Sequence, residues 1–318
     1  MRTTNFRSAL DESVLSLLWS MWAEAGVSGW GRKHTSHAID IEPLILFTTS
    51  FREIDRRLRD EVTDWCIEFG RHVSATRLRT LLETSWRDFP DLRSMYGAFA
   101  GTVNRHGNVN WPYATEGYKF EPTGRSHMPD FARPSLVQLR LRSVFGVTTR
   151  AEVVRMFLAD PSASLSAADI ADAVGYSKRN VFDALESLRM GGLLDVIAVR
   201  NSKRYRPISP ERFVASVGEL PDFFPAWINI FRVLAFVKRY ADASGQIDDM
   251  GASVTAGVDL RAAENSIRLA GWEVPAILGS GEVLAERFEE WAGTLAQGLA
   301  GADMKVFAPS HRRTSASQ

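Results

Sequence analysis

The side chains with the most to offer chemically stand in two short clusters. Ser177 is followed by Lys178, Arg179 and Asn180, with Asp183 one helical turn on. Three hydrogen-bonding side chains in succession, two of them cationic, suit phosphate oxygens and base edges together. An arginine fork matches guanine O6/N7, and an asparagine matches adenine N6/N7. The second cluster comprises Arg200, Asn201, Lys203, Arg204 and Arg206. For both clusters to act on one ligand, the intervening chain must hold a helix tip beside a turn.

The sequence around them predicts such elements. Thr149 stands three residues before Glu152, a capping-box spacing, and Val153, Val154, Phe157 and Leu158 supply a buried face until Asp160 and Pro161 end the helix. Ser166 with Asp169 starts a short second helix, in which Ile170 and Val174 face inward among four alanines. Gly175 supplies the tight turn. Ser177 caps a third helix whose Val181, Leu185 and Leu188 recur at inward-facing spacing, leaving Lys178, Arg179, Asn180, Asp183 and Glu186 outward. Gly191 and Gly192 close it. Leu194 to Val199 reads as a strand, Arg200 to Lys203 as a turn, and Arg204 to Ile208 as the return strand, with Pro207 marking an outer edge.

The stretch LSAADIADAVGYSKRNVFDALESLRMGGLLDVIAVRNSKRYRPI resembles the winged helix-turn-helix of bacterial MarR-like and ArsR-like transcriptional regulators. The order of helices, the glycine turn, the GLL exit and the basic hairpin carry the likeness, which covers about residues 150–208, a fifth of the chain. The resemblance implies that the helix from Ser177 is the recognition helix, that Arg200 to Lys203 is the wing, and that the protein binds double-stranded operator DNA as a homodimer. Residues 135–209 hold eleven Lys or Arg against seven Asp or Glu, whereas the whole chain balances at 38 against 38. Positive charge is thus concentrated where a duplex would need it. The competing expectation is a protein-interaction module, such as an antitoxin or adaptor, because winged helices also bind proteins and Asp183 and Glu186 dilute the cationic face.

The flanks read as helical, so the expected fold is mainly α: a winged helix at 135–209 between helical regions at 1–134 and 210–318. Predicted helices cover about 10–25 with Asp11 as cap, 54–69, 74–84, 135–145, 225–241, 260–270 and 282–299. The turn at Gly70–Val73, between two of them, allows a degenerate second helix-turn-helix. Residues 104–134 read as an ordered linker packed by Trp111, Tyr113, Tyr118 and Phe120, and the polar end PSHRRTSASQ as a disordered tail.

Other groups point to less. The single cysteine, Cys66, is expected in a core, which fits a reducing, cytoplasmic compartment. The most apolar run, Phe223 to Val237, holds Pro225, Asn229 and Arg232 and is too short for a membrane span. His34 and His37 lack further ligands for zinc and read as solvated loop residues. Glu289 and Glu290 read as a solvated helix face. No phosphate-cradling, nucleophile-elbow or metalloprotease motif is present, so neither enzymatic activity nor a cofactor is expected. Trp19, Trp22, Trp30, Phe231, Trp272 and Trp291 would frame a small-molecule effector pocket or, more simply, fill a core.

Overall fold

A computed structural model describes residues 2–29, 31–51, 53–199, 202–276 and 282–307. Those residues are mainly helical, with one two-stranded antiparallel sheet. In chain order the helices of the first part are α1 (Arg2–Glu24), α2 (Ile41–Thr48), α3 (Arg56–Phe69), α4 (Ala75–Glu83) and α5 (Pro90–His106). The central part holds α6 (Val137–Phe145), α7 (Thr149–Ala159), α8 (Ala167–Val174) and α9 (Lys178–Met190), then strands β1 (Leu194–Val199) and β2 (Ser202–Pro207). The last part holds α10 (Pro210–Ala215), α11 (Trp227–Ser244), α12 (Asp249–Leu269), α13 (Glu282–Ala300) and α14 (Met304–Phe307). Trp30, Arg200, Asn201 and the tail from 308 lie outside the described residues.

Local signals explain most boundaries. The Asp55 carboxylate accepts from the Leu58 amide to start α3, and the Ser74 hydroxyl accepts from the Arg77 amide to start α4. In the flanking parts two helix starts differ from expectation. The first helix starts at Arg2, so Asp11 lies inside it and pairs with Lys238 at 3.4 Å instead of capping. The helix expected from 260 starts at Asp249, because Asp248 accepts from the Gly251 amide at 2.8 Å and supplies a cap one helical run earlier.

Apolar burial forms two clusters. The larger joins α1 to α5 with α11, α12 and α13 through residues such as Leu18, Phe47, Trp65, Phe99, Phe231 and Phe288. Helices from the first and last parts of the chain, expected as separate regions, therefore share one core. Trp22 and Phe231 are part of it, and Trp19, Trp272 and Trp291 pack against its edge. The smaller cluster joins α6 to α9 with Leu194 and Tyr205 of the hairpin and with Phe213, Leu220 and Phe224. Cys66 is fully buried, and burial pushes its thiol well up from the ordinary range.

The linker between α5 and α6 is ordered by polar contacts as much as by aromatics. The Asp64 carboxylate accepts from the backbone amides of Thr123, Gly124, Arg125 and Ser126. Arg140 donates to the carbonyls of Phe131, Ala132, Arg133, Val217 and Glu219. Trp111 is buried and Tyr118 packs against the larger core, whereas Tyr113 is exposed, with Arg93 over its ring.

Candidate nucleic-acid interface

The central unit is assembled from strong local signals. Ser166 and Asp169 form a reciprocal capping box at α8: the Ser166 hydroxyl accepts from the Asp169 amide, and the Asp169 carboxylate accepts from the Ser166 amide. Gly175 ends α8 in the left-handed region, at φ 68°. A Cβ there would stand 2.6 Å from Leu81 Cδ2, so glycine is required both by backbone and by space. The Ser177 hydroxyl then accepts from the Asn180 amide and starts α9. Val181, Ala184, Leu185 and Leu188 are buried, while Ser177, Lys178, Arg179 and Asp183 are exposed and Asn180 is half-buried.

The hairpin is fastened to α9 and α8 by its return strand. Tyr205 is buried opposite Val196, and its hydroxyl donates to Glu186 at 2.5 Å. Leu165, just before α8, exchanges both backbone hydrogen bonds with Tyr205 at 2.9 and 2.8 Å, adding a short third ladder element. The unit thus runs helix, bridge, helix, helix, strand, strand.

The structure sorts the predicted side chains. Lys178 and Arg179 have no internal hydrogen bond or ion pair among the described residues. Lys203 is 61% exposed at the hairpin end, 3.9 Å from Glu186. Arg204 turns back instead: it donates to the Ser164 carbonyl through Nε and Nη2 and lies 3.3 Å from Asp169. Arg206 pairs across the strands with Asp195 at 3.3 Å. Arg200 and Asn201 fall outside the described residues. Glu186, expected as a free acid on the outward face, is engaged by Tyr205 and Arg189, and these hydrogen bonds lower its pKa below the usual range. A shallow open groove separates α9 from the start of α7, lined by Thr149, Arg150, Asn180, Asp183 and Ser187.

What fixes this unit against the rest of the chain is a buried ion network absent from the sequence reading. Asp40, Glu42 and Glu152 face Arg77, Arg142 and Arg155, all buried. Arg77 bonds Asp40 and Glu42, the latter at 2.7 Å, and donates to the Val174 carbonyl at the end of α8. Arg142 bridges Glu42 and Glu152, each at 2.7 Å, and Arg155 reaches Glu152 at 2.9 Å and Asp40 at 3.3 Å. Gln138 donates to both Asp40 and Glu152, and the Tyr176 hydroxyl donates to Ser74. Burial alone would raise Asp40 and Glu152, but the facing guanidinium groups outweigh it and hold both carboxyls below their ordinary range. Glu152 is therefore no capping residue. The α7 N-cap is Thr148, without a side-chain cap bond.

The two histidines are also buried, not solvated. His34 accepts from Ser20 at Nδ1 and donates from Nε2 to the Leu299 carbonyl at 2.9 Å, and burial lowers its pKa to about 4. His37 stacks on Phe223 with ring centroids 4.9 Å apart, both its nitrogens lack partners among the described residues, and burial lowers its pKa to about 3. No group of three or more His, Cys, Asp or Glu among the described residues is placed to hold a metal. Glu289 accepts from the Tyr240 hydroxyl at 2.8 Å. No described helix is long and apolar enough to cross a membrane.

Against known proteins, no family model, no characterised protein and no solved structure matches this chain.

Proposed function

We propose that this chain is a cytoplasmic DNA-binding regulator of transcription, and that its residues 135–209 act as a winged helix-turn-helix on double-stranded operator DNA. The observation that carries the reading is the Ser177-capped start of α9. Among the described residues Lys178 and Arg179 stand there exposed and free of internal partners, and the exposed ammonium of Lys203 lies 3.9 Å from Glu186 on the same helix. The Leu165–Tyr205 bridge supports the winged topology. In this reading Arg179 and Asn180 meet base edges, Lys178 and Lys203 meet phosphates, and Arg150 adds a cation at the groove beside α9. Arg204 and Arg206 shape the hairpin. Glu186 holds it to α9.

The duplex is read by two copies of the chain. Met250, Val254 and Val258 form an exposed apolar stripe on α12. Two such stripes laid antiparallel bring Asp248 of one copy toward Arg261 of the other, a complementary pairing. An adaptor role is favoured by a different patch, the exposed Met190, Leu193 and Ile208 at the foot of the hairpin.

Selection from a random-sequence duplex pool tests the reading. Enrichment of a discrete sequence motif is the expected outcome. A pool left unenriched, with no retention of duplex at low salt, would contradict it.

A further inference from the structure

One exposed aromatic side chain at this interface lies outside both apolar cores. Phe182 is 40% exposed, one turn into α9, between Arg179 and Asp183 on the outward side and the hairpin on the other. It belongs to neither apolar cluster, because α9 buries Val181, Ala184, Leu185 and Leu188 instead. Single exposed apolar residues are common on protein surfaces. This one is set among cations, with the Lys203 ammonium 5.7 Å from its ring centroid.

We infer that Phe182 reads the 5-methyl group of thymine, so that the chain selects duplexes carrying thymine at the position under this ring. The inference rests on the DNA-binding reading above. The major-groove edges of the four base pairs present hydrogen-bond donors and acceptors and one apolar group, the thymine methyl. A phenyl ring cannot satisfy a donor or acceptor, and desolvating one without replacement is costly. Pressed into a groove by the neighbouring cations, the ring gains only where it meets the methyl. Arg179 and Asn180 on the same helix start would supply the polar contacts, so the aromatic adds a discrimination that those residues do not provide.

The test uses the full chain and the duplex recovered by selection, synthesised once with thymine and once with deoxyuridine throughout. The two differ by the methyl alone, and the protein is unchanged between them. Wild type is expected to prefer the thymine duplex by about fourfold for each contacted methyl. Phe182→Ala is expected to bind both duplexes equally, and Phe182→Leu, which keeps an apolar side chain, to retain part of the preference. Equal binding of both duplexes by wild type overturns the inference. So does full preference retained by Phe182→Ala, which would assign the methyl to another residue. Failure of selection to recover any duplex is a separate result and removes the DNA reading together with what rests on it.

Discussion

At the scale of single residues, Arg179 and Lys203 are both exposed cations, yet the proposed roles separate them. Arg179→Ala is expected to weaken binding to the selected duplex by about 1–3 kcal/mol per copy and to blur the preferred base at one position in each half-site, whereas Lys203→Ala should weaken all sequences alike and lower the salt slope by about one per copy. Titrations of both variants against selected and scrambled duplexes read the difference; indistinguishable effects from the two would dissolve the assignment. Arg179 was legible because its type and its place after a capping serine declare themselves locally, and Lys203 because it closes a turn-forming run before the return strand. Arg204 was not. Its partners, the Ser164 carbonyl and Asp169, come from the loop and helix start preceding α9, and only folding brings them to the hairpin. The same holds for Glu186, whose charge is taken up by Tyr205 from the return strand.

At the scale of elements, the joint between the central unit and the larger core sets how the α9 tip is presented. Gly175 packs against Leu81 of α4, and the ion network links α2, α4, α6 and α7. Gly175→Ala combines left-handed strain with a clash and is expected to cost about 2 kcal/mol or more. Arg142→Met would leave Glu42 and Glu152 buried with one guanidinium fewer, at an expected cost of about 3–5 kcal/mol. Urea unfolding midpoints check both, and a loss under about 1 kcal/mol for Arg142→Met would show that the network is not compensating buried charge. The sequence announces helices well where a cap or a glycine sits next to an apolar period, as at Ser74, Ser166, Gly175 and Ser177. It hides the network, because Asp40 and Arg155 are far apart in the chain, and a glutamate three residues after a threonine imitates a capping box.

At the scale of the whole molecule, the first and last parts of the chain close on one another around His34 and His37. His34 bonds α1 through Ser20 and α13 through Leu299, and His37 lies between Phe223 and Phe307. Both pKa values, about 4 and about 3, lie below the ordinary histidine value because burial disfavours the charged ring. The unfolded chain therefore takes up protons first. The contribution of these rings to stability is complete above about pH 6.5 and is lost as pH falls toward 4, by up to about 1.4 kcal/mol per pH unit for each histidine. His37→Phe, which suits the aromatic surroundings, is expected to flatten that slope; an unchanged slope between pH 6.5 and 4 in urea unfolding would contradict the buried, neutral state. Neither histidine could be placed from the sequence, since a loop position says nothing of what other segments fold over it. The exposed stripe on α12 is expected to hold two copies together, so Val254→Asp should shift the molar mass measured by light scattering from dimer to monomer. A duplex is expected at the α9 start and the hairpin, and salt-dependent binding of the selected duplex by wild type and by the Lys178→Glu, Arg179→Glu double variant measures this most directly. Wild-type affinity should fall on the order of a thousandfold from about 50 to about 200 mM salt, and the double variant should lose both affinity and specificity. Affinity indifferent to salt, or undiminished by reversing both charges, would contradict the account.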